Sequence, residues 1–90
     1  MAEKLLIADD EQDIVTMLDS YFTRRGYLVL RAFSGEEAVR QAEKRPDAIL
    51  LDVNMPDMDG LEVCRRIREY VSCPIIFLTA RVEESDKIKG

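Results

Sequence analysis

"AILLDVNMPDMDG", residues 48–60, runs four apolar side chains directly into a carboxylate and then sets Asp57 and Asp59 in a loop with Pro56 and Gly60. The run Ala48 to Leu51 is too short for a helix, and an unbroken apolar run of this kind is how a strand buried on both faces reads. Such a strand belongs in a parallel sheet covered by helices. Its end is the anomaly. Asp52 follows four apolar positions and lies close in sequence to two more carboxylates, an arrangement that costs stability unless something positive sits among them.

Two further runs have the same character, "LLIA" at 5–8 and "IIFL" at 75–78, and a fourth, "YLVL" at 27–30, follows Gly26. Between them the period changes. Ile14, Met17, Leu18, Tyr21 and Phe22 fall at helical spacing, with Gly26 placed to end the helix. Ser34 with Glu37 three residues on matches a capping box, Ala38 and Ala42 lie one turn apart behind it, and Pro46 sets a limit. Asp59 with Glu62 repeats the cap, followed by Leu61, Cys64, Ile67 and Val71 on one face and closed by Pro74. The sequence thus predicts strands near 4–9, 27–31, 48–52 and 74–79 and helices near 12–25, 35–44 and 59–70. "VEESDKIKG" opens the start of a fourth helix from 83. Strands alternating with helices of this length imply an α/β fold with right-handed crossovers and a doubly wound parallel sheet.

Composition narrows the function. Ninety residues, 47% hydrophobic and 34% charged, suit one small soluble domain with a modest core. A net charge of −5, with Lys and Arg interspersed among acids and no histidine, argues against direct nucleic-acid binding by this segment. The apolar run at the start is far too short for a signal peptide or a membrane span, so the expected location is cytoplasmic, with no membrane partner. Cys64 and Cys73 lack a CxxC or histidine partner and read as small buried hydrophobes.

In open parallel sheets ligands bind beyond the carboxyl ends of the strands. The first run ends in Asp9 and Asp10, the third in Asp52 and the fourth in Thr79. Taken singly, each has an ordinary reading: Asp9 and Asp10 as a solvated strand end or a helix cap, Asp57 and Asp59 as turn and cap residues, Thr79 as a strand-end hydroxyl and Asn54 as a loop residue. Taken together, the three strand-end carboxylates suit a divalent cation. Magnesium is held by one or two carboxylates, keeps several waters and leaves positions for phosphate oxygens. The spacing in "DVNMPDMDGLEV" is not that of a calcium-binding loop with its bidentate Glu at the twelfth position. A carboxylate beside such an ion can act as a nucleophile toward phosphorus and form an aspartyl phosphate.

"LLIADDEQDI", "AILLDVNMPDMDGLEVCRRIR" and "PIIFLTAR" resemble the receiver domain of bacterial two-component response regulators over nearly the whole chain. The resemblance implies a flavodoxin-like sheet of order 2-1-3-4-5. It implies Asp52 as phosphoacceptor, Asp10 as direct Mg2+ ligand, Asp9 as its acidic partner through water, and the backbone carbonyl of Asn54 as a further ligand. Thr79 matches the switch hydroxyl and Ala80 the small residue that leaves the phosphate accessible. A sensor histidine kinase is the implied partner, and the likeness is greatest to regulators that carry a winged-helix DNA-binding domain, so DNA would be reached only through that effector domain.

The family's receivers continue into a fifth strand, whose terminal lysine pairs with the phosphate, and a fifth helix. The chain stops at Gly90, and none of Arg81, Lys87 or Lys89 matches that lysine, so residues 1–90 read as a truncated receiver domain with no catalytic lysine. The expected function is phosphoryl acceptance in a signalling relay rather than enzymatic turnover, with some part in its own phosphorylation and dephosphorylation, and transcription regulation as output of the full-length protein. The alternative is a non-catalytic fragment that self-associates through the exposed "IIFL" edge. A magnesium-dependent phosphatase using Asp52 fits less well, because the position two residues on would need an acid and is Asn54.

Overall fold

The computed structural model describes residues 2–78. The order of elements is β1 (Lys4–Ala8), α1 (Gln12–Arg24), β2 (Leu28–Ala32), α2 (Gly35–Ala42), β3 (Ala48–Asp52), α3 (Gly60–Ile67) and β4 (Ile75–Leu78). The four strands form one parallel sheet in the order β2-β1-β3-β4. This is the doubly wound arrangement implied by the alternation of apolar runs with helical periods. Thr79, Ala80 and the helix start from 83 lie outside the described residues.

Strand alternation divides the core in two. Leu6, Ala8, Ala32, Ile49 and Leu51 point to one face, where Ala38 and Ala42 of α2 and Val63 and Ile67 of α3 cover them. Leu5, Ile7 and Leu50 point to the other, against Val15, with Leu18 and Phe22 packed alongside. Successive residues of the central strands are buried on opposite faces, which is why β1 and β3 carry no polar alternation. On β4 the alternation has consequences for exposure: Ile75 and Phe77 pack with the α2/α3 layer, whereas Ile76 remains 54% exposed. Among the described residues β4 pairs only with β3.

Helix ends follow the local chemistry. Gly26 adopts φ +96° after α1, a left-handed conformation that a Cβ disfavours. Ser34 caps α2 by accepting from the Glu37 amide at 3.1 Å, and the Glu37 carboxylate returns a bond to the Phe33 amide at 2.8 Å. The reciprocal capping box is therefore present, displaced by one residue on its return arm. α2 ends earlier than the expected residue 44, because Glu43, Lys44 and Arg45 donate to carbonyls three residues back. Arg45 then takes φ +58°, since the ring of Pro46 excludes it from a helical conformation. α3 likewise stops at Ile67, its continuation tightening into bonds from Glu69 to Arg66 and from Tyr70 to Ile67. Cys64 and Cys73 are free and half-buried, packed against the α2/α3 layer rather than fully inside it. Burial pushes the Cys73 thiol above its ordinary value. No helix among the described residues is long and apolar enough to cross a membrane.

Candidate functional site

The parallel register builds the site. Ala8 lies opposite Leu51 across β1 and β3, so the next residues along the two strands, Asp9 and Asp52, emerge at the same rim. Asp10 follows one residue later, where α1 has not yet begun. Oxygens of Asp9, Asp10 and Asp52 all lie within 4.8 Å of one another. Asp9 is 3% exposed and Asp52 is 2% exposed, values reached by no other charged side chain among the described residues. The three carboxylates singled out in the sequence are thus brought together, although 42 positions separate Asp10 from Asp52 in the chain.

Both buried carboxylates are held by the backbone that leaves their strands. Oδ1 of Asp9 accepts from the Glu11 amide at 3.0 Å, and Oδ1 of Asp52 accepts from the Asn54 amide at 3.3 Å. Each is a bond to the residue two positions on, the local turn that aspartate favours. Asp9 also keeps the sheet in register, its amide donating to the Ala32 carbonyl at 3.1 Å. The helix-cap reading of Asp9 and Asp10 does not hold: the N-cap of α1 is Glu11, and its side chain makes no capping bond.

The loop after Asp52 is folded tightly. Asn54 forms an isolated antiparallel bridge with Asp59, and the Gly60 amide donates to the Val53 carbonyl at 3.0 Å. A Cβ on Gly60 would stand 2.8 Å from Cα of Val53, so the loop can close only on glycine. Met55 is buried beneath it, at 6% exposure. Asp59 caps α3 by accepting from the Glu62 amide at 2.9 Å, so it is committed to structure. Asp57 is also a structural residue, but not within its own turn. Its Oδ1 accepts from the Gly35 amide at 2.8 Å and its Oδ2 from the Glu36 amide at 3.0 Å, at the start of α2. Those bonds hold its carboxyl below the ordinary value, the Gly35 amide foremost. Sequence reasoning missed this contact, and no local pattern signals it, because the partners are 22 and 21 residues away.

The donor set fits a magnesium ion. It consists of hard carboxylate oxygens, two of them buried side by side with like charge, and a divalent cation would offset that repulsion while accepting water and phosphate oxygens in its remaining positions. Asn54, whose carbonyl the resemblance offers as a further ligand, is exposed and adjoins the cluster through its bond to Asp52.

A parallel sheet of this order with an acidic cluster at its carboxyl rim defines a class of α/β domain that receives its ligand at the strand ends. The chain belongs to the response regulator receiver domain family, which it matches over residues 5–90. It is 48% identical, over its whole length, to the alkaline phosphatase synthesis transcriptional regulatory protein PhoP of Bacillus subtilis, and spans 38% of that protein. It is 41% identical to the uncharacterized transcriptional regulatory protein YrkP of the same organism and spans 39% of it. The chain therefore covers about two-fifths of the length of these curated relatives. Among solved structures, the chemotaxis protein CheY4 of Vibrio cholerae superposes with a TM-score of 0.81 at 33% identity, covering 100% of this chain and 82% of that one. The receiver domain of the hybrid histidine kinase CckA gives a TM-score of 0.78 at 33% identity, covering 82% and 72%.

Proposed function

We propose that the chain is a phosphoryl-accepting signalling receiver in which Asp52 is the phosphoacceptor, with Asp9, Asp10, Asp52 and the Asn54 carbonyl holding Mg2+. The observation that carries this reading is the burial of Asp52 beside Asp9, with Asp10 closing the cluster. Two adjacent buried carboxylates of like charge repel, and a bound divalent cation would offset that repulsion.

In the transfer, an Asp52 carboxylate oxygen attacks the phosphorus of a phosphohistidine on a sensor histidine kinase. The new O–P bond forms as the P–N bond breaks, and the departing imidazole nitrogen takes up a proton. Bound Mg2+ supplies charge neutralisation for the phosphoryl oxygens. The Asn54 amide, donating to Oδ1, holds the carboxylate plane during attack. Asp52 is modified rather than regenerated in a turnover cycle, so the chain acts as a signalling acceptor that contributes to its own phosphorylation and dephosphorylation. Thr79 and Ala80 are proposed as the switch hydroxyl and the small phosphate-adjacent residue. Transcription regulation through a winged-helix DNA-binding effector domain, in the cytoplasm, is proposed for the full-length protein, in line with the names of its curated relatives.

The test is intact-mass spectrometry after incubation with Mg2+ and acetyl phosphate, beside Asp52→Asn. Gain of one phosphoryl group by the parent chain and none by the variant supports the reading; equal gain by both refutes it.

A second reading is favoured by β4, an edge strand among the described residues with Ile76 54% exposed. Open strand edges with apolar faces pair with other chains. In this reading the chain self-associates through β4 without phosphoryl chemistry. Sedimentation of the parent chain beside Ile76→Lys tests it: a dimer abolished by the substitution supports it, and a monomeric parent chain refutes it.

A further inference from the structure

We infer that Asp57 is a positioning residue for the metal site, acting through the loop that follows the phosphoacceptor; the inference rests on the phosphoryl-acceptor reading. Residues 53–59 leave β3 at Asp52 and must bring the Asn54 backbone beside the acidic cluster. Near its start the loop is fixed by the Asn54 amide on Asp52, and near its end by the Val53–Gly60 bond and the Asn54–Asp59 bridge. Its outermost turn is fixed elsewhere. The Asp57 carboxylate spans the Gly35 and Glu36 amides, so both oxygens are engaged on a different crossover of the fold. Bonds from backbone amides to a charged acceptor are stronger than neutral ones, and two on one carboxylate also fix its orientation.

The seat at α2 is shaped for this contact. A Cβ on Gly35 would lie 2.8 Å from Cβ of Met58 and 3.2 Å from Oδ1 of Asp57, so the loop approaches α2 as closely as a glycine permits. Val63 of α3 stands 3.0 Å from the same point. Asp57 thus pins the middle of the loop to the α2/α3 layer, while Asn54, three residues earlier, is left at the rim. Releasing the pin loosens the turn next to Asn54, leaving its carbonyl held only by the bonds at the two ends of the loop, without altering any of the three clustered carboxylates. Asp57 is not itself a ligand, because its oxygens are committed to α2.

Ser34 supplies the comparison. Its hydroxyl also satisfies an amide at the start of α2, that of Glu37, but makes no hydrogen bond to the loop. Loss of either side chain weakens α2; only loss of Asp57 unpins the loop. Partners one shell outside a metal site change affinity by about 10- to 100-fold. Asp57 acts through two intervening residues, Met55 and Pro56, so a smaller change, about 3- to 10-fold, is expected from the same principle.

Mg2+ titration of the folded chain, followed by amide chemical shifts, tests this in the parent chain and in Asp57→Ala, Asp57→Asn and Ser34→Ala, each also unfolded in urea. The expected result is Mg2+ binding weakened about 3- to 10-fold in Asp57→Ala and less in Asp57→Asn, which keeps one acceptor oxygen, with Ser34→Ala unchanged in affinity despite a comparable loss of stability. Unchanged affinity in a folded Asp57→Asn or Asp57→Ala overturns the inference and leaves the phosphoacceptor reading intact. Equal weakening in Ser34→Ala overturns it as well, since the effect would then be one of stability alone. Absence of saturable Mg2+ binding in the parent chain overturns the metal-site reading itself.

Discussion

Asp9 and Asp52 occupy the ends of adjacent parallel strands, both almost fully buried, with oxygens no more than 4.8 Å apart and Asp10 completing the cluster. Each is tied to the amide two residues on, so neither can swing away from the other without losing a bond. Carboxylates this close repel one another. Asp52→Asn keeps the Oδ1 acceptor for Asn54 but deletes one of the clustered charges, and so stabilises the chain in EDTA by about 1–3 kcal/mol, the scale of one unit-charge pair at this separation in the effective dielectric of a protein site. With Mg2+ present the ranking reverses, because the ion stabilises the parent chain by mass action and the variant much less. Urea midpoints in EDTA and in excess Mg2+ measure both effects; an unchanged ranking would contradict the metal-site assignment.

The close approach of Gly60 to Val53 gives a second prediction. Gly60→Ala places a methyl 2.8 Å from a backbone carbon, which cannot be relieved by a side-chain rotation. A cost of about 1–3 kcal/mol is expected from overpacking of this kind. At Gly26 the same substitution meets no atom within 4 Å and incurs only the left-handed backbone penalty at φ +96°, about 1 kcal/mol. Thermal unfolding of the two variants should rank Gly60→Ala as the less stable; the opposite ranking would show that the loop relaxes freely.

Asp57 makes stability pH-dependent in a defined direction. Its carboxyl is held below the ordinary 3.8 by the Gly35 amide and then the Glu36 amide. A folded value below the unfolded one means that the unfolded chain binds more protons in the interval between them, so stability rises with pH there. The contribution is fully present above 3.8 and is lost as pH falls through the folded value. Because the carboxylate is exposed, its size is modest. Asp57→Asn should therefore be less stable than the parent chain near neutrality, with the gap narrowing below pH 3.8. Urea midpoints against pH supply the check, and a gap that widens on acidification would reverse the sign.

Within α3, two apolar residues predict opposite outcomes. Ile67 is fully buried against the sheet and Leu61 is 77% exposed. Ile67→Ala should cost about 2–5 kcal/mol through lost burial and the cavity left behind. Leu61→Ala should stay within about 0.5 kcal/mol. Comparable losses in the two would place α3 on the sheet by the wrong face.

That contrast also shows where the sequence stops being legible. The apolar runs declared β1 and β3 because both faces of those strands are covered, leaving no polar residue to interrupt them; β4 reads the same way although its Ile76 is 54% exposed. β2 is found one residue later than expected, since its ladder starts with the Leu28 amide on Glu3 while Tyr27 turns its ring edge-on to Phe22. Helix existence was readable and helix orientation less so. The stripe expected on α1 included Met17 and Tyr21, which are 60% and 48% exposed, while Val15 is the residue fully buried. Apolar residues occur on more than one side of that helix, and the sheet selects the side. Arg25 stacks 4.4 Å over the Tyr21 ring, so even this outer position is partly covered by its neighbour. On α3 the buried line is Gly60, Val63 and Ile67, with Leu61 outside it. A glycine carries no hydrophobic signal, yet Gly60 faces inward because the loop demands it.

The acidic cluster was legible for a different reason. A carboxylate following four apolar residues breaks the pattern of its own strand, and two such ends on adjacent parallel strands, carrying three carboxylates between them, meet at one rim by topology alone. Asp57 broke no pattern. Its turn residues, Pro56 and Gly60, gave it an ordinary local reading, and its bonds to α2 depend on how two crossovers pack.

Asp52 is the residue proposed to carry the phosphoryl group. Borohydride reduction of the phosphorylated chain, followed by peptide sequencing, tests it most directly, because an aspartyl phosphate is an acyl phosphate that is reduced to homoserine at the modified position. Phosphorylation of Asp52 gives homoserine at position 52, dependent on Mg2+ during the incubation, and none at Asp9, Asp10, Asp57 or Asp59. Homoserine at another aspartate, or a phosphoryl group that survives reduction as a stable ester on a hydroxyl side chain, would contradict it.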